Sequence, residues 1–162
     1  MYIIPSDLVR KFHGVSSNNY SQNGKHIETL GFLLGYKSND NYVATDLIFP
    51  EQQATCSRVD DKGIGGEDTL VWAFQTYMLE KKKKPIVIAW IHSHVGSVKC
   101  NFSSVDLHTQ HTYSKLHNGI LGMVVEIHED GSLGEHDFYE MSRQGKRFVE
   151  NCSQCRFVLI AH

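Results

Sequence analysis

The sequence predicts a mixed α/β fold in a single domain. Helix patterns and apolar strand patterns alternate along the chain, and no internal repeat divides it. The clearest strand pattern is the β-branched run at 86–91, which follows Pro85. The chain has 162 residues, of which 41% are hydrophobic, so it can bury one sizeable core. We therefore expect one domain over residues 1–162.

The first half of the chain predicts elements in the order helix, polar loop, strand and strand, at 6–16, 18–25, 30–36 and 42–49. A polar, glycine-containing insertion at 56–68 follows and precedes a helical pattern at 70–79. Four lysines at 81–84 come next, where positive charge suits the negative C-terminal end of a helix.

The second half begins with the buried strand at 86–91, which is expected to end at the first of two spaced histidines. A helix follows through 105–110. Two more strands are predicted at 121–128 and 134–141, and residues 129–132 between them form a hairpin turn with Asp-Gly as its signal.

His92 and His94 stand at the end of the predicted strand at 86–91. Alternate strand residues face the same side, so the two imidazoles can bind one metal ion about 2 Å away, while Ser93 faces the other side. A His-x-His pair is also common as two exposed or hydrogen-bonded histidines. The pair therefore needs further ligands nearby to indicate a metal site.

A third ligand is available in the helix that follows. Ser103 or Ser104 is the expected N-cap, which places Asp106 in the first turn, where a carboxylate is favoured. Two histidines and one carboxylate leave the fourth tetrahedral position for water, as in catalytic zinc sites. The pattern indicates a metallohydrolase.

Such a site needs a base, and Glu28 is the candidate. It lies at the start of an otherwise apolar, glycine-containing strand pattern. Zinc lowers the pKa of water towards about 7, so a nearby carboxylate can take the proton and later pass it to a leaving amine. Spacing alone leaves open a second interpretation, in which Glu28 is a solvated carboxylate at the end of a strand.

The order of these residues, an upstream glutamate, then His-x-His, then Ser-x-x-Asp, resembles the JAMM (MPN-plus) metalloprotease domain. Within that family the chain is most similar to the AMSH branch of deubiquitinases, and the similarity spans nearly the whole chain. The segments that carry it are 4–8 with Lys11-Phe12, 28–31, 90–94 and 102–109.

The resemblance implies a role for each motif residue. His92, His94 and Asp106 would be zinc ligands, Glu28 the general acid and base, and Ser103 a donor to the oxyanion of the tetrahedral intermediate. Loss of such a donor typically lowers the rate ~10²-fold or more. The resemblance also implies a cytidine-deaminase-like fold, with a curved mixed β-sheet flanked by helices.

For function, the resemblance implies a zinc-dependent isopeptidase that hydrolyses the amide between the C-terminal glycine of ubiquitin and a lysine side chain, with a preference for 63-linked chains. Two alternatives stay open. One is a catalytically silent MPN scaffold that binds ubiquitin or a partner subunit. The other is a zinc isopeptidase that acts on another ubiquitin-like protein or on a small amide.

The loop between the two motifs departs from the family pattern. Val95 stands where the family has proline, and eight residues rather than seven separate His94 from Ser103. The ligands are intact, so we expect altered loop geometry rather than lost zinc. In AMSH-like enzymes this loop contacts ubiquitin, and the predicted substrate contacts are Val95, Gly96, Ser97, Val98, Lys99, Cys100, Asn101 and Phe102.

The insertion at residues 56–79 is a second expected contact. The resemblance implies that it packs on the distal ubiquitin, unless Trp72 and Phe74 belong to the hydrophobic core of the domain.

AMSH-like domains also carry a structural zinc ion, and this chain offers a partial match to that site. His108 and Cys152 match by position, while Cys155 and His162 replace the paired histidines of the family. Four such ligands would close a tetrahedral site. The alternative is that His108 is a helix-surface histidine and the two cysteines are free thiols.

Composition limits the other function classes. A net charge of −2 argues against a nucleic-acid binder. No segment is long and apolar enough to cross a membrane, and the N-terminus does not resemble a signal peptide. We expect a cytosolic protein with reduced cysteines, associated with endosomes through sorting partners that bind regions outside this chain. A cysteine hydrolase is disfavoured because no histidine is placed convincingly beside a thiol.

Overall fold

The computed structural model describes residues 1–23, 27–50, 52–54, 59–61, 75, 78–79, 84–96, 101–115, 119–141, 149–151 and 155–156. The two helices whose full extents are described are α1, Ser6–Asn23, and α2, Ser104–Tyr113. The described strands, β1 to β10 in chain order, are Tyr2–Ile3, Leu30–Ser38, Asn41–Ile48, Gln52–Ala54, Val59–Asp61, Ile86–Val95, Leu121–Ile127, Leu133–Met141, Val149–Asn151 and Cys155–Arg156. The predicted mixed α/β class is confirmed.

The strands form one eight-stranded mixed sheet in the order β10-β1-β3-β2-β6-β7-β8-β9, and β4 and β5 pair separately. Strand β6 lies near the centre, antiparallel to β2 on one side and parallel to β7 on the other. A parallel pair requires a crossover connection, and α2 lies within the one between β6 and β7. The end of β6 therefore lies between two neighbouring strands and close in sequence to a helix.

Both faces of the sheet are covered, which explains the continuous apolar run in β2. Leu33 packs with Phe12 of α1 in one core cluster. The adjacent Phe32 faces the other side, in a second cluster where its ring meets Tyr113 of α2 edge-on at 5.4 Å between centroids. Strand residues alternate between faces, so a strand buried on both sides has no polar face.

Three predicted elements differ in extent from those observed. Strand β6 continues through Val95, so the two histidines lie within it. The predicted polar insertion contains β5, which pairs with β4. Helix α1 continues to Asn23 through a segment predicted to be a loop. The polar last turns of α1 are tied to distant segments, since Ser17 donates to the Gly131 carbonyl at 2.7 Å and Asn19 donates to Thr29 Oγ1 at 3.0 Å.

The other predicted strands agree with the structure within two residues at each end. The hairpin turn is confirmed: the His128 N–H donates to the Ser132 carbonyl at 2.9 Å, and Gly131 has φ +80°, where glycine is favoured. In the predicted helix at 70–79, residues 75, 78 and 79 are helical, while Trp72 and Phe74 lie outside the described residues. Neither described helix combines the length and apolar composition that crossing a lipid bilayer requires.

Candidate metal centre

The two histidines at the end of β6 face the same side, as the strand period predicts. Their Nε2 atoms lie 3.1 Å apart, and His92 and His94 are 1% and 3% exposed. Register with both neighbours fixes this part of β6, since His92 lies opposite Leu30 of β2 and Val124 of β7. The structure therefore excludes two solvent-exposed histidines.

Asp106 reaches the histidines from the first turn of α2. Ser103 is the N-cap, and its Oγ accepts a hydrogen bond from the Asp106 N–H at 3.3 Å. The Ser103 N–H donates in return to Asp106 Oδ2 at 2.6 Å, which completes a capping box. The carboxylate oxygens lie 3.1 Å from Nε2 of His92 and 3.3 Å from Nε2 of His94. The cap of α2 thus aims this carboxylate at both imidazoles.

The three side chains fit a single tetrahedral metal ion. All three are buried, and one ligand atom from each lies within 4.8 Å of the others. Bonds of ~2.0–2.1 Å in tetrahedral geometry separate neighbouring ligand atoms by about 3.3–3.4 Å. The two Nε2 atoms lie 3.1 Å apart, and each lies 3.1 or 3.3 Å from a different carboxylate oxygen of Asp106, which is close to that value. Two imidazoles and one carboxylate leave a fourth position for water or substrate.

The pKa shifts of Asp106 and His92 favour the protonation states that bind a metal. Burial raises the pKa of Asp106, but the contacts with His92, His94 and Ser103 outweigh it and hold that pKa well below its usual range. Burial is the main cause that lowers the pKa of His92, with Asp106 acting in the opposite direction. An ionised carboxylate and neutral imidazoles are the forms that bind metals.

Glu28 lies beside this cluster, two residues before β2 begins at Leu30. It is 5% exposed, so it is not a solvated strand-end carboxylate. Burial raises its pKa to about 7, His94 lowers it and Asp106 raises it, so both residues lie close enough for their charges to act. A carboxyl group with this pKa exchanges a proton near neutral pH, as a general acid and base must.

His92 is supported by the indole ring of Trp90, a contact that sequence reasoning missed. The Trp90 ring stacks on the imidazole, with 4.6 Å between centroids and planes 9° apart. The Trp90 Nε1–H donates to Gln110 Oε1, and the Gln110 Nε2 donates to the Ile120 carbonyl at 2.9 Å. Trp90 and Gln110 are 20 residues apart in sequence, and no local pattern links them.

The predicted substrate loop is described only at its two ends. Val95 is 3% exposed and belongs to the core, so its side chain faces away from any substrate. Gly96 turns with φ +76°. Asn101 is exposed, while the Phe102 ring stacks on Tyr139 at 3.9 Å and contacts Trp90. Residues 97–100 lie outside the described residues, so contacts through Ser97, Val98, Lys99 and Cys100 stay predictions.

The second zinc site also stays a prediction. His108 is exposed on α2. Cys155 lies in β10, opposite Tyr2 of β1. Cys152 and His162 lie outside the described residues.

Comparisons with known proteins agree on the family. Residues 2–119 match the family described as JAB1/Mov34/MPN/PAD-1 ubiquitin protease. The chain is 26% identical over 140 residues to AMSH-like ubiquitin thioesterase 1 of Arabidopsis thaliana, covering 85% of this chain and 25% of that protein. It is 28% identical over 156 residues to STAM-binding protein-like of Xenopus laevis, covering 95% of this chain and 33% of that protein.

The chain therefore spans between a quarter and a third of the length of these two relatives. The fold also resembles the solution structure of a protein from Desulfitobacterium hafniense, with a TM-score of 0.59 and 11% identity. That match covers 100% of this chain and 94% of the other.

Proposed function

Because this chain belongs to the JAB1/Mov34/MPN/PAD-1 ubiquitin protease family, we propose that it is a zinc-dependent isopeptidase that cleaves ubiquitin from lysine side chains. The observation that carries the proposal is the buried triad of His92, His94 and Asp106 with Glu28 beside it. The family alone would also fit a scaffold. A scaffold, however, has no need of a buried carboxyl group beside three buried side chains that can hold a metal ion.

Zinc is the metal that suits this set of donors, two imidazoles and one carboxylate with an open position. When bound, zinc supplies a Lewis acid that polarises a carbonyl and lowers the pKa of water towards about 7. His92, His94 and Asp106 would hold the ion. Stacking on the Trp90 ring keeps the His92 ring in a fixed plane for this task.

Glu28 moves the proton in the proposed reaction. Burial raises its pKa to about 7 in the metal-free chain, and a bound cation would favour the carboxylate, which is the form that accepts a proton from water. Its carboxylate takes a proton from the attacking water, and its carboxyl group returns that proton to the departing lysine amine. The hydroxyl of Ser103 at the N-cap is free to turn its hydrogen towards the oxygen that becomes negative in the tetrahedral intermediate.

The substrate part of the proposal rests on resemblance. The Arabidopsis relative is named AMSH-like ubiquitin thioesterase 1, so ubiquitin is the proposed substrate partner, and the Xenopus relative is named STAM-binding protein-like. The AMSH resemblance adds endosomal sorting proteins as proposed partners, which would bind regions outside this chain. The AMSH resemblance favours 63-linked chains. We also propose that the protein acts in the cytosol and at endosomes.

The test is cleavage of a panel of differently linked ubiquitin dimers by the zinc-loaded chain. Selective cleavage of the 63-linked dimer is expected. It should be lost with a chelator, recovered with added zinc, and lowered ~10²- to 10⁴-fold to a residual rate in Glu28→Gln. Glu129→Gln, an exposed glutamate in the β7–β8 turn, is the matched control and should remain active. If the zinc-loaded chain binds ubiquitin but cleaves no dimer, the scaffold interpretation replaces this proposal.

A further inference from the structure

Ser93, the residue between the two histidines, faces away from the metal centre and makes two hydrogen bonds of its own. It is fully buried, as is its partner Thr29. The Ser93 N–H donates to the Thr29 carbonyl at 3.0 Å, and the Thr29 N–H donates to Ser93 Oγ at 2.8 Å. The hydroxyl of Ser93 therefore binds a main-chain group on a different segment of the chain.

That main-chain group belongs to the peptide unit that joins Glu28 to Thr29. Strand β2 begins at Leu30, which lies opposite His92, so Glu28 and Thr29 precede the regular ladder. A hydrogen bond to the Thr29 N–H fixes the plane of this peptide unit and with it the direction in which the Glu28 side chain leaves the backbone. Asn19 of α1 holds the same residue from a third side through Thr29 Oγ1, at 3.0 Å.

We propose that Ser93 is a positioning residue that sets the location of Glu28 relative to the metal ligands. Ser93 is bonded in sequence to both histidines, and one hydrogen bond links it to the peptide of Glu28. Ser93 and Thr29 lie 64 residues apart in the chain, and the buried Ser93 hydroxyl adds a side-chain hydrogen bond to the main-chain pairing that joins the two halves of the site. This inference rests on the proposed function, because it assigns Ser93 a part in proton transfer by Glu28.

The kinetic test compares Ser93→Ala with Ser93→Thr and Ser16→Ala on 63-linked ubiquitin dimers. Small displacements of catalytic groups can lower rates ~10²-fold, so Ser93→Ala should lower kcat by roughly 10- to 100-fold while KM changes less than about twofold. Ser93→Thr keeps the hydroxyl and should restore most of kcat. Ser16 is equally buried, and its hydroxyl has no hydrogen-bond partner in the described part of the chain, so Ser16→Ala controls for loss of a buried serine.

Two further measurements separate positioning from general damage. Zinc content should stay the same in Ser93→Ala, since the ligands are untouched. In the Glu28→Gln background, Ser93→Ala should lower kcat no further, because the group it positions is already absent. If Ser93→Ala does not fold, Ser93→Cys is the substitute, since its thiol has similar size and is a weak acceptor.

Crystal structures of the variants give a readout that does not depend on ubiquitin cleavage. In Ser93→Ala the Glu28 carboxylate should lie about 1 Å or more from its wild-type position relative to His94, and in Ser93→Thr it should not move. An unmoved carboxylate, or an equal loss of kcat in both backgrounds, overturns the proposal. If the wild type cleaves no ubiquitin dimer, the proposed function fails, and the crystal structures still decide the role of Ser93.

Discussion

Replacement of Glu28 by glutamine should stabilise the metal-free protein, and the gain should depend on pH. Glu28 is 5% exposed, and burial is the main cause that raises its pKa from 4.5 to about 7. A raised carboxyl pKa means that the folded state favours the neutral form. The stability contributed by the neutral carboxyl group is full below pH 4.5 and is lost as pH rises through about 7.

The size of the effect follows from the two pKa values. A tenfold difference in proton affinity corresponds to about 1.4 kcal/mol, so the change from 4.5 to about 7 corresponds to about 3 kcal/mol above pH 7. Glutamine has a similar shape and stays neutral at every pH. Glu28→Gln should therefore exceed the wild type in free energy of unfolding by about 3 kcal/mol at pH 8 and by less than about 1 kcal/mol at pH 5.

The assay is urea denaturation at pH 5 and pH 8 in the presence of a chelator. Subtracting the excess free energy of unfolding of Glu28→Gln at pH 5 from that at pH 8 cancels any effect of the amide group that does not depend on pH. Glu129→Gln gives the baseline for the same substitution at an exposed site. Added zinc should shrink the advantage of Glu28→Gln, because a nearby cation favours the ionised carboxylate. If the advantage does not grow between pH 5 and pH 8, burial does not penalise the charge of Glu28 and the reasoning is refuted.

Four other substitutions test the site, the sheet and helix α1. Asp106→Asn removes the anionic ligand and should weaken zinc binding by roughly 10²-fold or more, measured by competition with a zinc indicator. Gln110→Leu leaves the buried Trp90 N–H and a main-chain carbonyl without partners and should lower the free energy of unfolding by about 2–3 kcal/mol; a neutral result would contradict that network. Gly35→Ala places a Cβ 1.8 Å from a main-chain oxygen of β3 and should lower the free energy of unfolding by at least about 3 kcal/mol. Gly14→Ala in α1 meets nothing within 4 Å and should raise the free energy of unfolding by about 0.5–1 kcal/mol in the same denaturation assay.

Local signals were enough to predict the elements that carry the proposed metal ligands. The β-branched run at 86–91 indicated β6, and a serine cap followed by an acidic residue indicated the start of α2. Both signals operate over a few residues, so they can be read directly from the sequence. The end of α1 could not be predicted in this way. Asn18 and Asn19 have weak helix propensity, and tertiary hydrogen bonds such as Asn19 to Thr29 decide that the helix continues.

The parts of the site that depend on long-range contacts were beyond local reasoning. Spacing predicted that His92 and His94 face one side, but the burial that raises the pKa of Glu28 appears only in the folded chain. The partnership of Trp90 with Gln110 likewise arises because α2 packs on the sheet. Ser93 was predicted to face away from the metal, and nothing in the sequence indicates its bond to Thr29.

The two carboxyl groups beside the histidines have pKa values that are shifted in opposite directions, and this separation supports their different roles. Asp106 accepts from the capping N–H of Ser103 and contacts both imidazoles, so its ionised form is favoured, which suits the proposed role of a metal ligand. Glu28 is governed first by burial, so its proton affinity rises to the range where it can exchange a proton at neutral pH. Residue type does not make this distinction, since aspartate and glutamate have similar ordinary pKa values. The position of each residue in the fold sets the difference between the two pKa values. Asp106 lies at the positive start of a helix, and Glu28 lies in the buried segment before a central strand.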